Sequence, residues 1–223
     1  MDRITEAFVW PVRDPQWPAK VIIIGLISLI PIIGWMNGLG WMLGSLDRLR
    51  SGEERLADGY FDHIGRGARL FVVELVYALV VVALGLVFYI PGILIAVSQG
   101  HGNANPGVIA LALLLDLAGL GLVSLGSLAY TFLLPAVVLA TDAGGIAAGL
   151  SIGAIVRRSS TNPVNTLIAG LMLIAASFVS SIGIVACGIG VVFTAPYALA
   201  MQAWIIRSFE IGTASRQVGQ EDV

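Results

Sequence analysis

The chain of 223 residues is short of charge, because Asp, Glu, Lys and Arg make up 12% of it, against about 25% in a typical soluble domain. It has one cysteine, which excludes an internal disulfide. Its 12 Lys and Arg residues are too few and too scattered to form the basic face that nucleic acid requires, so no nucleic-acid partner is expected. In their place the chain has 57% hydrophobic residues, which indicates a protein embedded in a lipid bilayer.

Four long stretches contain no Asp, Glu, Lys or Arg, and their positions predict the helices. They are residues 21–46, 75–115, 117–141 and 159–206. A helix needs about 20 apolar residues to cross a hydrocarbon core of about 30 Å, so each stretch is long enough to span it. The apolar residues are continuous rather than alternating, which favours helices over a β-barrel.

Breaks within these stretches predict where the chain turns back. Residues 164–206 would form a straight helix of about 65 Å, twice the thickness of the core, so a turn is expected at 180–183 or at 187–190. The segment 101–107 is rich in Asn, Gly and Pro and is the strongest break in the chain. The predicted spanning helices are therefore at about 69–98, 108–140, 164–181 and 185–207.

Residues 21–46 contain Pro31 at their centre, followed by several glycines. Proline removes a helical hydrogen bond, so the segment is either a kinked span or a short helical hairpin that enters and leaves on one side. The hairpin is favoured because it puts all Lys and Arg residues on the cytoplasmic side. The predicted fold is an all-α polytopic helical membrane bundle of four spanning helices plus a Pro-broken N-terminal hairpin, with five full spans as the alternative.

Polar segments define the expected organisation of a single integral membrane domain, 1–223. Residues 1–19 predict an interfacial segment, 45–68 a cytoplasmic loop and 209–223 a polar tail. The loop mixes charges of both signs, which favours a solvated loop, with partner docking as the alternative. Residues 143–156 are too short to span and predict an interfacial or docked helix before Arg157 and Arg158.

Two acidic residues inside the predicted spans are candidates for an intramembrane polar site. Asp116 is placed near the middle of its helix, and Glu74 about 7 Å into the preceding one. An ionisable group at this depth must face the bundle, find a donor or stay protonated. Asp116 could therefore line a proton or cation site with Glu74 on the route, or both could be structural acids bonded to neighbouring helices.

Four prolines are candidate kinks: Pro31, Pro91, Pro135 and Pro196. The last three share the pattern Phe-x-x-Pro, and each lies in a predicted spanning helix. Such prolines act as hinges or free carbonyls in transporters, although static curvature is the simpler interpretation.

No motif predicts a catalytic, cofactor-binding or metal site. His63 and His101 are expected on opposite sides of the membrane, and Cys187 has no histidine near it in sequence. There is no glycine-rich loop ending in Gly-Lys-Ser or Gly-Lys-Thr. We expect no enzyme, no cofactor and no metal, although a membrane enzyme acting on lipid stays open.

Several short motifs occur together in a specific order. They include Trp10-Pro11, Ile30-Pro31-Ile32-Ile33-Gly34, Leu49-Arg50-Ser51-Gly52, Leu133-Leu134-Pro135 and Asn162-Pro163. With this order the chain resembles the uncharacterised prokaryotic integral-membrane family catalogued as domain of unknown function 4013. The resemblance covers most of residues 8–208, but residues 53–62 lack the Pro and Trp that are frequent in that family. It implies a multi-pass protein of the bacterial or archaeal inner membrane and no known site residues.

The expected function is a non-catalytic membrane subunit or scaffold that supports transport or envelope organisation, with lipid binding as one means. Its expected partners are the lipid bilayer and other membrane subunits or further copies of the chain. The alternative is a small transporter or channel with a proton or cation site at Asp116.

Overall fold

The computed structural model describes residues 2–99, 105–185 and 190–221, and the side chains of 5–99, 105–183 and 190–214. All regular elements within these ranges are helical, in agreement with the predicted all-α class. A short 3-10 helix, Trp10–Arg13, accompanies the α-helices. The α-helices among the described residues are α1 (Asp2–Val9), α2 (Trp17–Ser28), α3 (Ile33–Arg50), α4 (Ile64–Ser98), α5 (Pro106–Gly149), α6 (Ile152–Thr161), α7 (Pro163–Val185) and α8 (Val191–Glu221).

Three helices among the described residues are long and apolar enough to cross a membrane. They are α4, α5 and the part of α7 from Pro163 to Gly183. Of the fourth predicted span, 185–207, residues 191–207 lie in α8, where Gln202 and Arg207 lower the apolarity, whereas Val185 ends α7.

The segment 21–46 contains two helices separated by Pro31, so the chain has the helical break that a hairpin requires. Helix α2 has 12 residues and is about 18 Å long, which is less than the thickness of a hydrocarbon core. The turn includes Ile32 at φ 65°, a backbone conformation that is strained for a β-branched residue.

Several predicted boundaries are corrected by the structure. The loop expected at 45–68 is reduced to 51–63, because α3 continues to Arg50 and α4 begins at Ile64. The tail expected at 209–223 is helical as far as Glu221, and the candidate turn at 180–183 lies inside α7. Of the other turn candidates, 187–190 and 101–107, residues 187–189 and 101–104 lie outside the described residues, and α5 begins at Pro106.

The short helix expected at 143–156 is also shifted. Helix α5 continues to Gly149 with a break at Gly145, where φ is 72°, and the amphipathic α6 follows at Ile152. Glycine adopts this positive φ without the steric cost that other residues incur, which explains the position of the break.

Pro91, Pro135 and Pro196 lie inside α4, α5 and α8, and each helix continues on both sides of its proline. Only Pro31, of the four candidates, lies between helices. The kink angles at the other three remain predictions.

The described chain forms two compact units. Unit 1 combines Met1–Val73 with Thr131–Val223, and unit 2 is Glu74–Tyr130. In unit 1, α8 packs against α2, α3 and α7, and the largest side chains of its core are Trp10, Trp41 and Phe209. Unit 2 is the antiparallel pair formed by most of α4 and the first part of α5.

Candidate functional site

Asp116 lies in a cleft of unit 2 with a volume of about 360 Å³. The cleft is almost entirely apolar, and Tyr89, Gly85 and Gly119 contribute to its walls. The carboxylate of Asp116 is packed so closely against Gly92 that a Cβ added there would lie 2.2 Å from Oδ1. This oxygen is buried and has no hydrogen-bond partner among the described groups. A buried acceptor without a donor costs free energy.

Glu74 lies at the other end of unit 2, within electrostatic range of the Tyr130 hydroxyl. The ring of Tyr130 packs against that of Tyr77, with the ring centroids 5.2 Å apart. Glu74 precedes Gly92, the residue that Asp116 contacts, by 18 positions on α4, which is about 27 Å along the helix. The structure therefore places the two candidate acids in separate surroundings rather than in one site.

Unit 2 is held together by close contact between glycines. A Cβ added at Gly119 would lie 2.8 Å from the carbonyl oxygen of Gly85 and 3.1 Å from Cβ of Tyr89. Small residues let the backbones of membrane helices approach in this way. Gly119 therefore packs within the chain, whereas Gly121 has no atom within 4 Å of an added Cβ.

Unit 1 contains a network of ion pairs that the sequence did not predict. The Arg50 guanidinium donates to Glu210 at 2.9 and 3.1 Å and to Asp142 at 2.8 Å. Arg66 donates to Asp142 at 2.6 Å and also contacts Asp47. Arg207 completes the network by donating to Glu210 at 2.8 Å. These contacts join α3, α4, α5 and α8 within unit 1.

For the residues of this network that lie outside the spanning helices, each resolved pKa shift favours the charged form of the side chain. Burial alone would lower the pKa of Arg50, but its hydrogen bonds to Glu210 and Asp142 outweigh burial and raise that pKa above its ordinary value. Burial would raise the pKa of Glu210, and the bonds from Arg50 and Arg207 lower it overall. With three acids and three arginines, this six-residue network carries no net charge.

A second charged cluster in unit 1 connects the start of α2 with the 51–63 loop. Lys20 and Asp14 are 6% and 2% exposed, and their side chains lie 2.9 Å apart. Asp14 Oδ2 accepts from the Leu56 amide at 3.0 Å, and Lys20 Nζ donates to the Leu56 carbonyl at 2.8 Å. Burial would raise the pKa of Asp14, but the bonds from Lys20 and from the backbone amides of Gln16 and Leu56 lower it below 3.8.

The 51–63 loop is packed on α3 rather than fully solvated. Asn37 donates to the carbonyl of Tyr60 at 3.0 Å, and Trp41 Nε1 donates to that of Ala57 at 2.9 Å. The Ser45 hydroxyl accepts from the Ala57 amide at 3.1 Å. Asn37, Trp41 and Ser45 are four residues apart and form one helix face. This spacing within an apolar segment is the signal that sequence reasoning missed.

His63 contacts the same loop, with Nε2 3.0 Å from the Asp58 carbonyl oxygen and 3.3 Å from Asp62 Oδ1. Asp142 is engaged by Arg50 and Arg66. No hydrogen bond or ion pair joins His63 to Asp142 among the described side chains. No group of three or more His, Cys, Asp or Glu that could hold a metal occurs among them either.

Three long apolar helices among the described residues indicate a helical membrane protein as the class of this chain. Within that class, the chain belongs to the family described as Protein of unknown function (DUF4013), whose model matches residues 23–209. The resemblance carried by the motifs from Ile30 onward is thereby confirmed, while Trp10-Pro11 lies outside the matched range. No curated protein and no solved structure matches the chain.

Proposed function

We propose that the protein is a non-catalytic membrane subunit or scaffold that supports transport or envelope organisation in a bacterial or archaeal inner membrane. The observation that carries this proposal is the surface of unit 2. Val87, Leu94, Leu114 and Leu125 are each 65–66% exposed, and they are distributed over both of its helices. An apolar surface on this scale requires lipid or helices of another subunit to cover it.

The charges of unit 1 support the same function. Arg48, Arg50, Arg66 and Arg207 all have carboxylate partners within the chain. Arginines and carboxylates that are paired with each other fix helix ends and are poorly available for proton transfer or substrate binding. Unit 1 thus acts as the fixed part of the scaffold.

Contacts of Lys20 support the topology that goes with this proposal. Lys20 at the start of α2 lies 3.3 Å from Asp58, which follows the end of α3, so the two ends of the hairpin meet. A helical pair that starts and finishes at one place enters and leaves on one side of the membrane. The N-terminus, the 51–63 loop and the C-terminus are then cytoplasmic.

Native mass spectrometry of the full chain, extracted gently from its own membrane, tests the proposal. Defined protein subunits or further copies of the chain at fixed stoichiometry are the expected result. A chain that carries no protein partner, under conditions in which known complexes of the same membrane survive, would overturn the scaffold proposal.

The alternative function is a small transporter or channel, and the unpartnered Oδ1 of Asp116 favours it. Reconstituted protein would then carry protons or a monovalent cation, and Asp116→Asn would abolish the flux. Glu74→Gln is the matched comparison, because Glu74 lies in separate surroundings. Flux that is absent from the wild type, or unchanged in Asp116→Asn, would exclude this alternative.

A further inference from the structure

A second cavity, in unit 1, has a lining unlike that of the Asp116 cleft. Its volume is about 590 Å³, and α5, α6 and α8 form its walls. Small side chains leave the space open: Ala140, Ala154 and Ala214. Arg157, Arg158 and Glu210 supply its charged groups. The size is within the range of about 300–1,000 Å³ that small-molecule sites occupy.

Charge in this cavity is not balanced. Glu210 is already bound by Arg50 through two hydrogen bonds and by Arg207 through another, so it is not available to the cavity arginines. Arg157 and Arg158 have no carboxylate within 4.0 Å among the side chains that the structure describes. Two arginines therefore line a cavity in which the carboxylate of Glu210, the one acid among the described lining residues, is already paired with other arginines.

Guanidinium groups bind phosphate well because their planar donors match two phosphate oxygens at once. Basic pockets between membrane helices on the cytoplasmic side are also the places where anionic lipid headgroups bind. Helix α6, which carries both arginines, exposes Ile152 and Val156 and buries Ile155. An amphipathic helix with this pattern is suited to the membrane interface, at the level of lipid phosphates.

We propose that the cavity lined by Arg157 and Arg158 is a binding site for a phosphate group, supplied by an anionic lipid headgroup or by a free phosphate compound. Both arginines supply donors, and the alanine walls admit the group that the phosphate carries. The site does not rest on the scaffold function, because its lining on α5, α6 and α8 is the same with or without a protein partner.

The test compares the wild type with Arg157→Gln/Arg158→Gln, using native mass spectrometry in detergent with added phosphatidylglycerol or phosphatidylcholine. Phosphatidylglycerol binding by the wild type, weakened about 30-fold in the double variant, is the expected result for a headgroup site. Arg55→Gln is the matched control, because Arg55 is an exposed cation with no ion pair among the described residues, and it should bind as the wild type does.

Inorganic phosphate distinguishes the second source. If phosphate at constant ionic strength raises the thermal stability of the wild type but not of the double variant, and phosphatidylglycerol does not bind selectively, the site is for a free phosphate compound. If the double variant binds both probes as the wild type does, the proposal is overturned.

Two further variants separate a built site from general surface attraction. Ala154→Trp fills the cavity and keeps both arginines, so binding should be lost, whereas a merely electrostatic surface would retain it. Arg157→Lys/Arg158→Lys keeps the charge but not the planar donors, and intermediate binding is expected. Unchanged binding in Ala154→Trp would contradict the assignment, and circular dichroism checks that each variant remains helical.

Discussion

In unit 1, Asn37 and Trp41 are completely buried and each donates a hydrogen bond to a backbone carbonyl, whereas in unit 2 the buried Oδ1 of Asp116 has no partner among the described groups. Five of the nine arginines of unit 1 whose side chains the structure describes are paired with acids inside the chain. Unit 2 exposes large apolar side chains on both of its helices and relies on glycine contacts. Unit 1 therefore satisfies most of its buried polar side chains internally, with Ser159 Oγ as an exception among the described atoms, while unit 2 depends on the groups that surround it.

This difference separates two sources of stability in one membrane protein. Partly buried charges are stabilising when both partners are present, and their removal one at a time leaves an uncompensated charge. Apolar helices that face lipid gain little from burial against each other, so close backbone contact decides their association. Substitutions of the same size should consequently have different effects in the two units.

The largest expected effect follows from Arg50→Ala. It removes one arginine from three acids, Asp47, Asp142 and Glu210, and we expect a loss of about 3 kcal/mol in the free energy of unfolding. Reversible unfolding in mixed micelles measures it, with Arg55→Ala as the control that should change little. A loss of less than about 0.5 kcal/mol would show that the network is not a source of stability.

Replacement of a polar residue by leucine should have opposite effects in the two units. Asn37→Leu leaves the Tyr60 carbonyl and the His63 amide without their partner and should cost about 2 kcal/mol. Asp116→Leu removes an acid that has a buried unpartnered oxygen, and it should be neutral or stabilising by up to about 1 kcal/mol. The same unfolding assay compares them. Strong destabilisation by Asp116→Leu would reveal a partner for Asp116 in the folded protein.

Glycine contacts in unit 2 can be tested with a matched pair on α5. Gly119→Ala places a Cβ 2.8 Å from the Gly85 carbonyl and should cost about 1 kcal/mol, whereas Gly121→Ala meets no atom within 4 Å and should be neutral. Hydrogen exchange should show the loss of protection in unit 2 and not in unit 1. Equal protection in the two variants would argue against close packing of α4 and α5.

Acid should weaken unit 1 in a defined pH range. The pKa values of Asp14 and Glu210 are lower in the folded protein than their ordinary values of 3.8 and 4.5. Their contribution to stability is therefore complete above about pH 5 and falls as the pH decreases through the folded pKa values. Thermal unfolding between about pH 7 and pH 3 measures this fall. Arg50→Ala should make the dependence shallower, and an identical profile would contradict the role given to Glu210.

Some of these features could be predicted from the sequence because they are local. The apolar helices α4, α5 and α7 follow from long stretches without charge, and the break between α2 and α3 follows from Pro31. Each depends on the properties of adjacent residues, so no knowledge of packing is needed.

The candidate site was less accessible to the same reasoning. Arg50 lies 92 residues from Asp142 and 160 from Glu210, so their pairing depends on how distant helices pack. Asp142 and Glu210 follow the ends of apolar stretches, on the side of the membrane where the arginines were expected. This proximity was a weak signal that they pair. The separation of Asp116 from Glu74 depends on the register of α4 and α5, which periodicity alone does not determine.

Unit 1 is assembled from the first and the last parts of the chain, and this has a consequence for biosynthesis. At translation rates of about 5–20 residues per second, roughly 8–32 seconds pass between the synthesis of Arg50 and that of Glu210, 160 residues later. The interval is longer still between the synthesis of Trp10 and that of Ala200, whose carbonyl accepts a hydrogen bond from the Trp10 indole. The nascent segment from Trp10 to Arg50 therefore remains without these partners until α8 has been synthesised.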